Sequence, residues 1–455
     1  MKQPLGKAIK ASLAISLPVA GTFLLNILSS FVAVYYISRF GEKALAASAL
    51  IISIQITALV ISMSTLFAVS VTVGRAFGSG AKDMATRLLQ QGWMLGFCMS
   101  IVIAVIFTFA PEILVFFNQP RGLAALTALY FHAMLFGVLP AMLQTASGQF
   151  AIGISKQKLV AFSSLLGLLT MIFLGFGLGF GEFGLPKLGI AGVGYAVAAQ
   201  YWVGFLFLLL QFIFNNSFKE FEIFKLRPVN RFAELKQLFI VGWPISAQVS
   251  AELIAIFVIT IMTGWLGEFS LSARQVTSQF LVFTIVPIIG LAQAAGVLVS
   301  QNIGKKAYFE VNRVAKISLA LAFGFIIWFL LAFIFIPDKL ASLYINIHEP
   351  ANFNLLRLIK ILFLIACVSQ IFDSIRNITS GALRGLYDTR FSMVTGIIGL
   401  WFITLPLGYV LAFHFHLGVI GLSIGFAVGV AVASILQWLR WHRLSQHEYL
   451  QKIYS

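Results

Sequence analysis

The chain has 455 residues, of which 60% are hydrophobic and only 10% are charged. A soluble domain carries roughly 25% charged residues, and so few polar groups cannot cover the surface of a soluble fold. Composition therefore excludes a soluble enzyme or binding module and indicates a protein whose solvent is the lipid bilayer. The formal net charge of +16 at pH 7 then has to be explained by membrane topology or by an acidic partner.

Apolar stretches long enough to cross a bilayer follow one another along the whole chain. About 20 mostly apolar residues suffice for one membrane-spanning helix. Such stretches lie at residues 12–38, 46–73, 90–110, 124–152, 159–180, 191–214, 238–264, 272–299, 315–336, 354–383, 391–412 and 418–438. The sequence thus predicts an all-α integral membrane protein with twelve membrane-spanning helices.

The basic residues are distributed unevenly between the two sides of this bundle. If the N-terminus and every second loop are cytoplasmic, 23 of the 31 Lys and Arg residues lie on the cytoplasmic side. Cytoplasmic loops of membrane proteins carry such an excess. The asymmetry predicts cytoplasmic N- and C-termini in a plasma membrane, the bacterial inner membrane. Because topology and contact with anionic lipid explain the positive charge, we expect no nucleic-acid partner.

Motifs in the first half of the chain recur in the second half at a nearly constant spacing. The matched pairs are Leu17-Pro18-Val19 with Trp243-Pro244-Ile245, Gly41 with Gly267, Gly78 with Gly304, and Leu188–Gly192 with Leu417–Gly421. Each half has an even number of spans, so both halves enter the membrane from the same side, as a parallel pseudo-twofold repeat around a central cavity. The predicted organisation is an N-lobe at 1–217, a cytoplasmic amphipathic linker at 218–237 and a C-lobe at 238–455.

Two of the 15 acidic residues lie inside predicted spans, Glu252 in the seventh and Asp373 in the tenth. A carboxylate at membrane depth is costly and normally faces a water-filled path or a partner. One interpretation is that both bind a coupling cation, a proton or Na⁺, and compete with a cationic substrate. For Asp373 the alternative is a structural ion pair with Arg376, three residues further on the same helical face. No basic residue lies within one helical turn of Glu252.

Other polar residues in the spans are candidates for lining the same cavity. The candidates are Asn26, Gln248, Gln279, Arg376 and Asn377. Each of the uncharged ones could equally form an interhelical hydrogen bond that serves packing. Asn26 is of particular interest because the offset that pairs Pro18 with Pro244 also pairs it with Glu252. The two cysteines, Cys98 and Cys367, lie in apolar spans and indicate no disulfide framework and no metal site, and we expect no cofactor besides the coupling ion.

Several motifs, taken in order, resemble the multidrug and toxic compound extrusion (MATE) family, particularly its bacterial NorM type. They are Gly74–Gly80 after the second span, Gly242–Ile245 followed by Glu252, Asp373-Ser374 followed by Gly381–Thr389, and Leu405–Tyr409 in the eleventh span. The resemblance covers nearly the whole chain. It implies a transporter, not an enzyme, that exports cationic or amphipathic drugs in exchange for Na⁺ or protons by alternating access of two six-helix lobes. We expect the protein to act as a monomer.

The resemblance also implies which residues bind the cation. In similar NorM proteins the carboxylates at the positions of Glu252 and Asp373 form the cation site, which is where Na⁺ would bind here. Those proteins usually carry a third carboxylate in the first span, in a Phe-Val-Asp context, whereas Phe31-Val32 is followed by Ala33 in this chain. The N-lobe therefore has no acid inside the membrane, and we expect coupling to depend on the C-lobe.

Two other functions remain open at this point. A flippase for a lipid-linked oligosaccharide or peptidoglycan precursor would need cations in its cavity for the pyrophosphate, and Arg376 is the only basic candidate at mid-membrane depth. An intramembrane aspartyl protease would use paired carboxylates, but the chain has no Gly-x-Gly-Asp and no His-Glu-x-x-His sequence. Cation-driven efflux would support the exporter, and cleavage of a membrane-embedded peptide would support the enzyme.

Overall fold

The computed structural model describes residues 4–225, 231–346 and 349–454. In these residues twelve helices are long and apolar enough to cross a membrane. They are α1 (Leu5–Ser38), α2 (Glu42–Gly78), α3 (Lys82–Thr108), α4 (Arg121–Gly153), α5 (Gln157–Phe180), α6 (Ile190–Phe214), α7 (Arg231–Trp265), α8 (Glu268–Gly304), α9 (Tyr308–Phe335), α10 (Phe353–Gly385), α11 (Thr389–His414) and α12 (Gly418–Leu444). The predicted all-α fold with twelve spans is confirmed. Most helices are longer than the predicted spans because their polar ends continue the helix beyond the apolar core.

Short helical segments supplement the long ones. Within the described ranges these are Ala110–Phe116, Asn216–Lys219, Pro337–Ala341, the 3₁₀ turn Pro350–Asn352, and His447–Tyr454. The segments after α3 and after α9 each carry a proline in their first turn. Proline is well tolerated there because the first N–H groups of a helix have no intrahelical partner.

Matched glycines adopt the same backbone conformation in the two halves. Gly41, before α2, has φ 106° and ψ 175°, and Gly267, before α8, has φ 95° and ψ 170°. Residues with a Cβ rarely adopt these angles. The two helices that follow each contain 37 residues and end at the matched pair Gly78 and Gly304. The recurring sequence motif therefore marks a recurring turn and helix.

Helix α11 departs from regular α-helical geometry. It contains two π-helical stretches, Ile398–Thr404 and Val410–His414. The intervening turn packs very closely on α12, where a Cβ added to Gly425 would lie 2.5 Å from the Cα of Gly408. Small residues allow such close backbone approach between helices in a membrane. The motif at Leu405–Tyr409 therefore contributes a packing surface.

The chain divides into two compact units. The N-unit comprises Gly21–Ser246, and the C-unit combines the segment ending at Ala20 with the chain from Ala247 onward. Helices α1 and α7 therefore each contribute to both units. The domain limits expected at residues 217 and 238 stay predictions, and part of the predicted linker, with Arg227, lies outside the described residues.

Within the N-unit, the connector after α6 is docked on α3. The Thr86 hydroxyl donates to the carbonyl of Phe221 at 2.5 Å, and the Gln90 amide donates to the carbonyl of Ile223 at 2.9 Å. Phe218, Phe221 and Ile223 are buried. The sequence suggested an amphipathic segment at the membrane interface, whereas much of its apolar surface packs against its own unit, leaving Phe224 exposed.

Candidate functional site

Three charged side chains meet inside the C-unit. Arg376 of α10 donates to Glu252 of α7, from Nη2 to Oε1 at 2.8 Å and from Nη1 to Oε2 at 3.3 Å. The same guanidinium donates to Oδ1 of Asp373, from Nη2 at 2.8 Å and from Nε at 3.0 Å. We refer to Glu252, Asp373 and Arg376 as the charged triad.

Helical spacing and the shape of arginine explain this arrangement. Asp373 and Arg376 are three residues apart on α10, so their side chains share one helical face. The planar guanidinium holds its N–H donors in fixed directions and can serve two carboxylates at once. The ion pair considered for Asp373 is therefore present, and it extends to Glu252, whose basic partner comes from another helix.

The members of the triad differ in exposure. Arg376 is 2% exposed and Asp373 is 4% exposed, whereas the Glu252 side chain is 26% exposed. An unpaired buried charge is strongly destabilising, and each buried member has a partner here. Two carboxylates and one guanidinium leave a net charge of −1. The accessible side chain that carries it is Glu252.

Two of the candidate cavity residues lie beside the triad. The Asn377 amide donates to Oδ2 of Asp373 at 3.0 Å and to the Asp373 carbonyl at 2.9 Å. Gln248, one turn before Glu252 on α7, is buried and accepts a hydrogen bond from Ser380 of α10 at 3.4 Å. These contacts orient Asp373 and join α7 to α10.

The remaining two candidates lie elsewhere. Asn26 belongs to the N-unit, where its carbonyl accepts a hydrogen bond from Ser30 at 3.2 Å. Gln279 of α8 lines a cavity of about 650 Å³ in the C-unit. Other polar residues lining this cavity are Thr260, Ser272, Gln275 and Tyr344. Sequence reasoning overlooked them, although Gln275 and Gln279 are one helical turn apart and share a face.

The charge of the triad and the lining of the cavity determine what the C-unit can bind. A single negative charge at membrane depth attracts cations, and the cavity lined by Gln279 elsewhere in the C-unit offers neutral hydrogen-bonding and apolar surface. The role of Glu252 and Asp373 as cation ligands stays a prediction, since these contacts describe the site without a bound ion.

Comparison with known proteins extends over most of the chain. The family model described as MatE matches residues 18–176 and 244–410. The chain is 30% identical over 406 residues to a probable multidrug resistance protein NorM of Burkholderia pseudomallei, covering 89% of this chain and 86% of that protein. It is 28% identical over 433 residues to a probable multidrug resistance protein NorM of Synechocystis, covering 95% of this chain and 94% of that protein.

Solved structures share the fold. A MATE structure in the bent conformation has a TM-score of 0.87 and 17% identity, covering 99% of each chain. An outward-facing multidrug resistance MATE family transporter has a TM-score of 0.86 and 17% identity, covering 98% of this chain and 97% of that one. At this identity the likeness establishes the fold, and the family model and the NorM relatives establish the family. The chain belongs to the MATE family and is a multi-pass membrane transporter, not an enzyme.

Proposed function

We propose that the protein is a multidrug exporter of the bacterial inner membrane, with both termini cytoplasmic. It moves cationic or amphipathic drugs outward in exchange for a cation, Na⁺ or a proton, by alternating access. The observation that carries this proposal is the charged triad, which has a formal net charge of −1 and whose Glu252 side chain is 26% exposed. The names of the NorM relatives, probable multidrug resistance proteins, support the same function.

Exchange follows when two cations compete for one negative charge. A coupling cation from outside neutralises Glu252 and removes the electrostatic attraction for a positively charged drug. Release of that cation to the inside restores the charge, and a new drug molecule binds. One-for-one exchange of a monovalent cation for a monovalent drug moves no net charge, so the concentration gradient of the coupling cation drives the cycle. For a drug without charge, the inward cation also gains about 2.3 kcal/mol per 100 mV of membrane potential.

The body of a drug needs apolar surface as well as a charge. The cavity lined by Gln275, Gln279 and Tyr344 has a volume of about 650 Å³, within the range of roughly 300–1,000 Å³ common for small-molecule sites. Its neutral lining suits flat, amphipathic molecules of varied structure, because it imposes few fixed charge requirements.

A lipid-linked substrate is supported less well than a cationic drug. Binding a pyrophosphate would require positive charge in excess of negative charge. The guanidinium of Arg376 is bonded to two carboxylates, so the triad as a whole repels anions.

Ethidium efflux from intact cells tests the proposal. We expect wild type to export ethidium under an imposed Na⁺ or proton gradient, and Glu252→Gln and Asp373→Asn to fail at equal membrane abundance. Glu268→Gln, a change of the same type at the exposed first residue of α8, is the matched control and should export like wild type. Wild-type efflux rates in Glu252→Gln, or no cation transport by wild type under either gradient, would contradict the proposal.

A further inference from the structure

Arg376 already occupies the space between the two carboxylates. All four carboxylate oxygens accept hydrogen bonds from protein donors. Both oxygens of Glu252 and Oδ1 of Asp373 accept from Arg376, and Oδ2 of Asp373 accepts from Asn377. A cation entering the triad therefore meets a positive charge and oxygens that each already accept a hydrogen bond.

We propose that Arg376 is a resident, tethered cation that closes this site to metal ions and thereby makes the proton the coupling ion. The inference rests on the proposed antiport at the same site and goes beyond it by assigning ion selectivity to one residue. It identifies Arg376 as a specificity-determining residue, in addition to the carboxylates.

A metal ion and a proton make different demands on the triad. A hard metal ion needs several oxygen ligands directed at it together. Providing them would require Arg376 to leave both Glu252 and Asp373 and to remain buried without a partner, because the residue is only 2% exposed. Such an unpaired buried charge is strongly unfavourable.

A proton needs only one lone pair. It can add to Oε2 of Glu252, whose bond from Arg376 Nη1 is the longest in the triad at 3.3 Å. The proton comes from outside water and leaves to inside water when Glu252 is deprotonated again. Throughout, Arg376 keeps its two bonds to Asp373 at 2.8 and 3.0 Å. Protonation therefore cancels the net charge without displacing the resident cation.

Three charged side chains of α10 interact electrostatically with Glu252. On α10 the charged groups that interact electrostatically with it are Arg376, Asp373 and, two turns further on, Arg384. The side chains of α11 and α12 that pack against α7 near Ala255 do not titrate. They are Leu400, Trp401, Phe426 and Val430. Of these charged groups, Arg376 is the one that is hydrogen-bonded to Glu252.

Purified protein in nanodiscs and in proteoliposomes tests the role of Arg376. We expect wild type to show no saturable binding of radioactive Na⁺ and to transport ethidium under a proton gradient but not under a Na⁺ gradient. Arg376→Gln leaves two carboxylates without a resident cation, so we expect saturable Na⁺ binding to appear, at least about tenfold tighter than the detection limit at which wild type shows none, because ligand charge sets cation affinity.

Two further variants separate charge from folding. Arg376→Lys keeps the resident charge and should still exclude Na⁺. The double variant Arg376→Gln/Asp373→Asn leaves Glu252 as the single charge and no unpaired aspartate, so it should fold and bind Na⁺ even where Arg376→Gln does not fold. Arg440→Gln is the matched control, since it removes an arginine that bonds Asp388 at 2.8 Å elsewhere in the C-unit, and it should behave like wild type.

Ethidium transport by wild type under a Na⁺ gradient, or saturable Na⁺ binding by wild type, would overturn the inference. So would folded Arg376→Gln and double variants that still bind no Na⁺. Wild type that moves no drug under either gradient would overturn the proposed function alone, because the comparison of Na⁺ binding between wild type and Arg376→Gln does not depend on drug transport.

Discussion

Helix α4 in the N-unit and helix α10 in the C-unit both contain 33 residues and end at matched glycines. A Cβ on Gly153 would lie 2.8 Å from the Ser70 carbonyl oxygen, and one on Gly385 would lie 2.6 Å from that of Gly296. In this register Gln144 of α4 corresponds to Arg376 of α10. Helices with the same close packing at their ends therefore carry a neutral amide, Gln144, in the N-unit and a guanidinium, Arg376, in the C-unit.

A second corresponding pair differs in the same way. Asn26 and Glu252 occupy equivalent positions in α1 and α7, counted from the start of each helix. In the N-unit, polar side chains satisfy one another without ions, as when Tyr130 donates to Gln55 at 2.8 Å and Trp93 donates to Ser147 at 2.9 Å. Packing and charge are thus separable, and the charged triad belongs to the C-unit.

Arg376 and Gln144 occupy corresponding positions in α10 and α4, and replacing the charged one, Arg376, should have the largest effect on the free energy of unfolding. Arg376→Met leaves two carboxylates without their partner, and we expect a loss of about 3–5 kcal/mol in the free energy of unfolding. Gln144→Met should cost about 1 kcal/mol or less, because it removes a neutral amide and leaves no charge unpaired. Unfolding of both purified variants measures the difference. Equal losses of unfolding free energy in the two variants would contradict the contrast between a charged and a neutral side chain. The double variant Arg376→Met/Asp373→Asn should recover part of the loss caused by Arg376→Met.

Each unit also contains a docked segment that follows one of its long helices. After α6 the connector buries Phe221, and after α12 the helix His447–Tyr454 buries Leu450 and places the His447 ring 3.7 Å from that of Phe309 on α9. We expect Phe221→Ala and Leu450→Ala each to cost about 2–4 kcal/mol, because each leaves a cavity. Thermal unfolding measures both. A negligible loss in either variant would show that its segment is not held by this side chain.

Replacing the matched glycines should have smaller and similar effects. Gly153→Ala and Gly385→Ala each force a helix away from a backbone oxygen, at a cost of about 1–3 kcal/mol. Gly324→Ala on α9 is the control, because nothing lies within 4 Å of its Cβ position, and it should stabilise the helix by roughly 0.5–1 kcal/mol. A much larger loss in one unit than in the other would contradict a shared scaffold.

The smallest effect is expected at the exposed pair Lys82 and Glu220. Lys82 lowers the pKa of the Glu220 carboxyl through a hydrogen bond and its charge. A lowered folded-state pKa contributes stability above the unfolded pKa, and this contribution is lost as pH falls through the folded pKa. Because the pair is exposed, salt screens it, and Glu220→Gln should unfold at the wild-type temperature at neutral pH. A clear decrease in the unfolding temperature of Glu220→Gln would show that this ion pair stabilises the docked connector.

The parts of this structure that sequence could predict depend on local pattern. The spans follow from hydropathy, and the pairing of Asp373 with Arg376 follows from their spacing on one helix. The partner of Glu252 comes from another helix, so no local pattern reveals it. The π-helical stretches of α11 depend on packing against α12, and Tyr344 reaches the cavity from a loop distant in sequence from Gln275.

The most direct test of the central claim measures protons released when a drug binds. The claim is that a drug and a proton use the same charge, at Glu252, in turn. Ethidium added to wild type in nanodiscs, in weakly buffered solution, should release protons, and Glu252→Gln should release none while Asn26→Ala releases as many as wild type. Undiminished proton release by Glu252→Gln would contradict the claim.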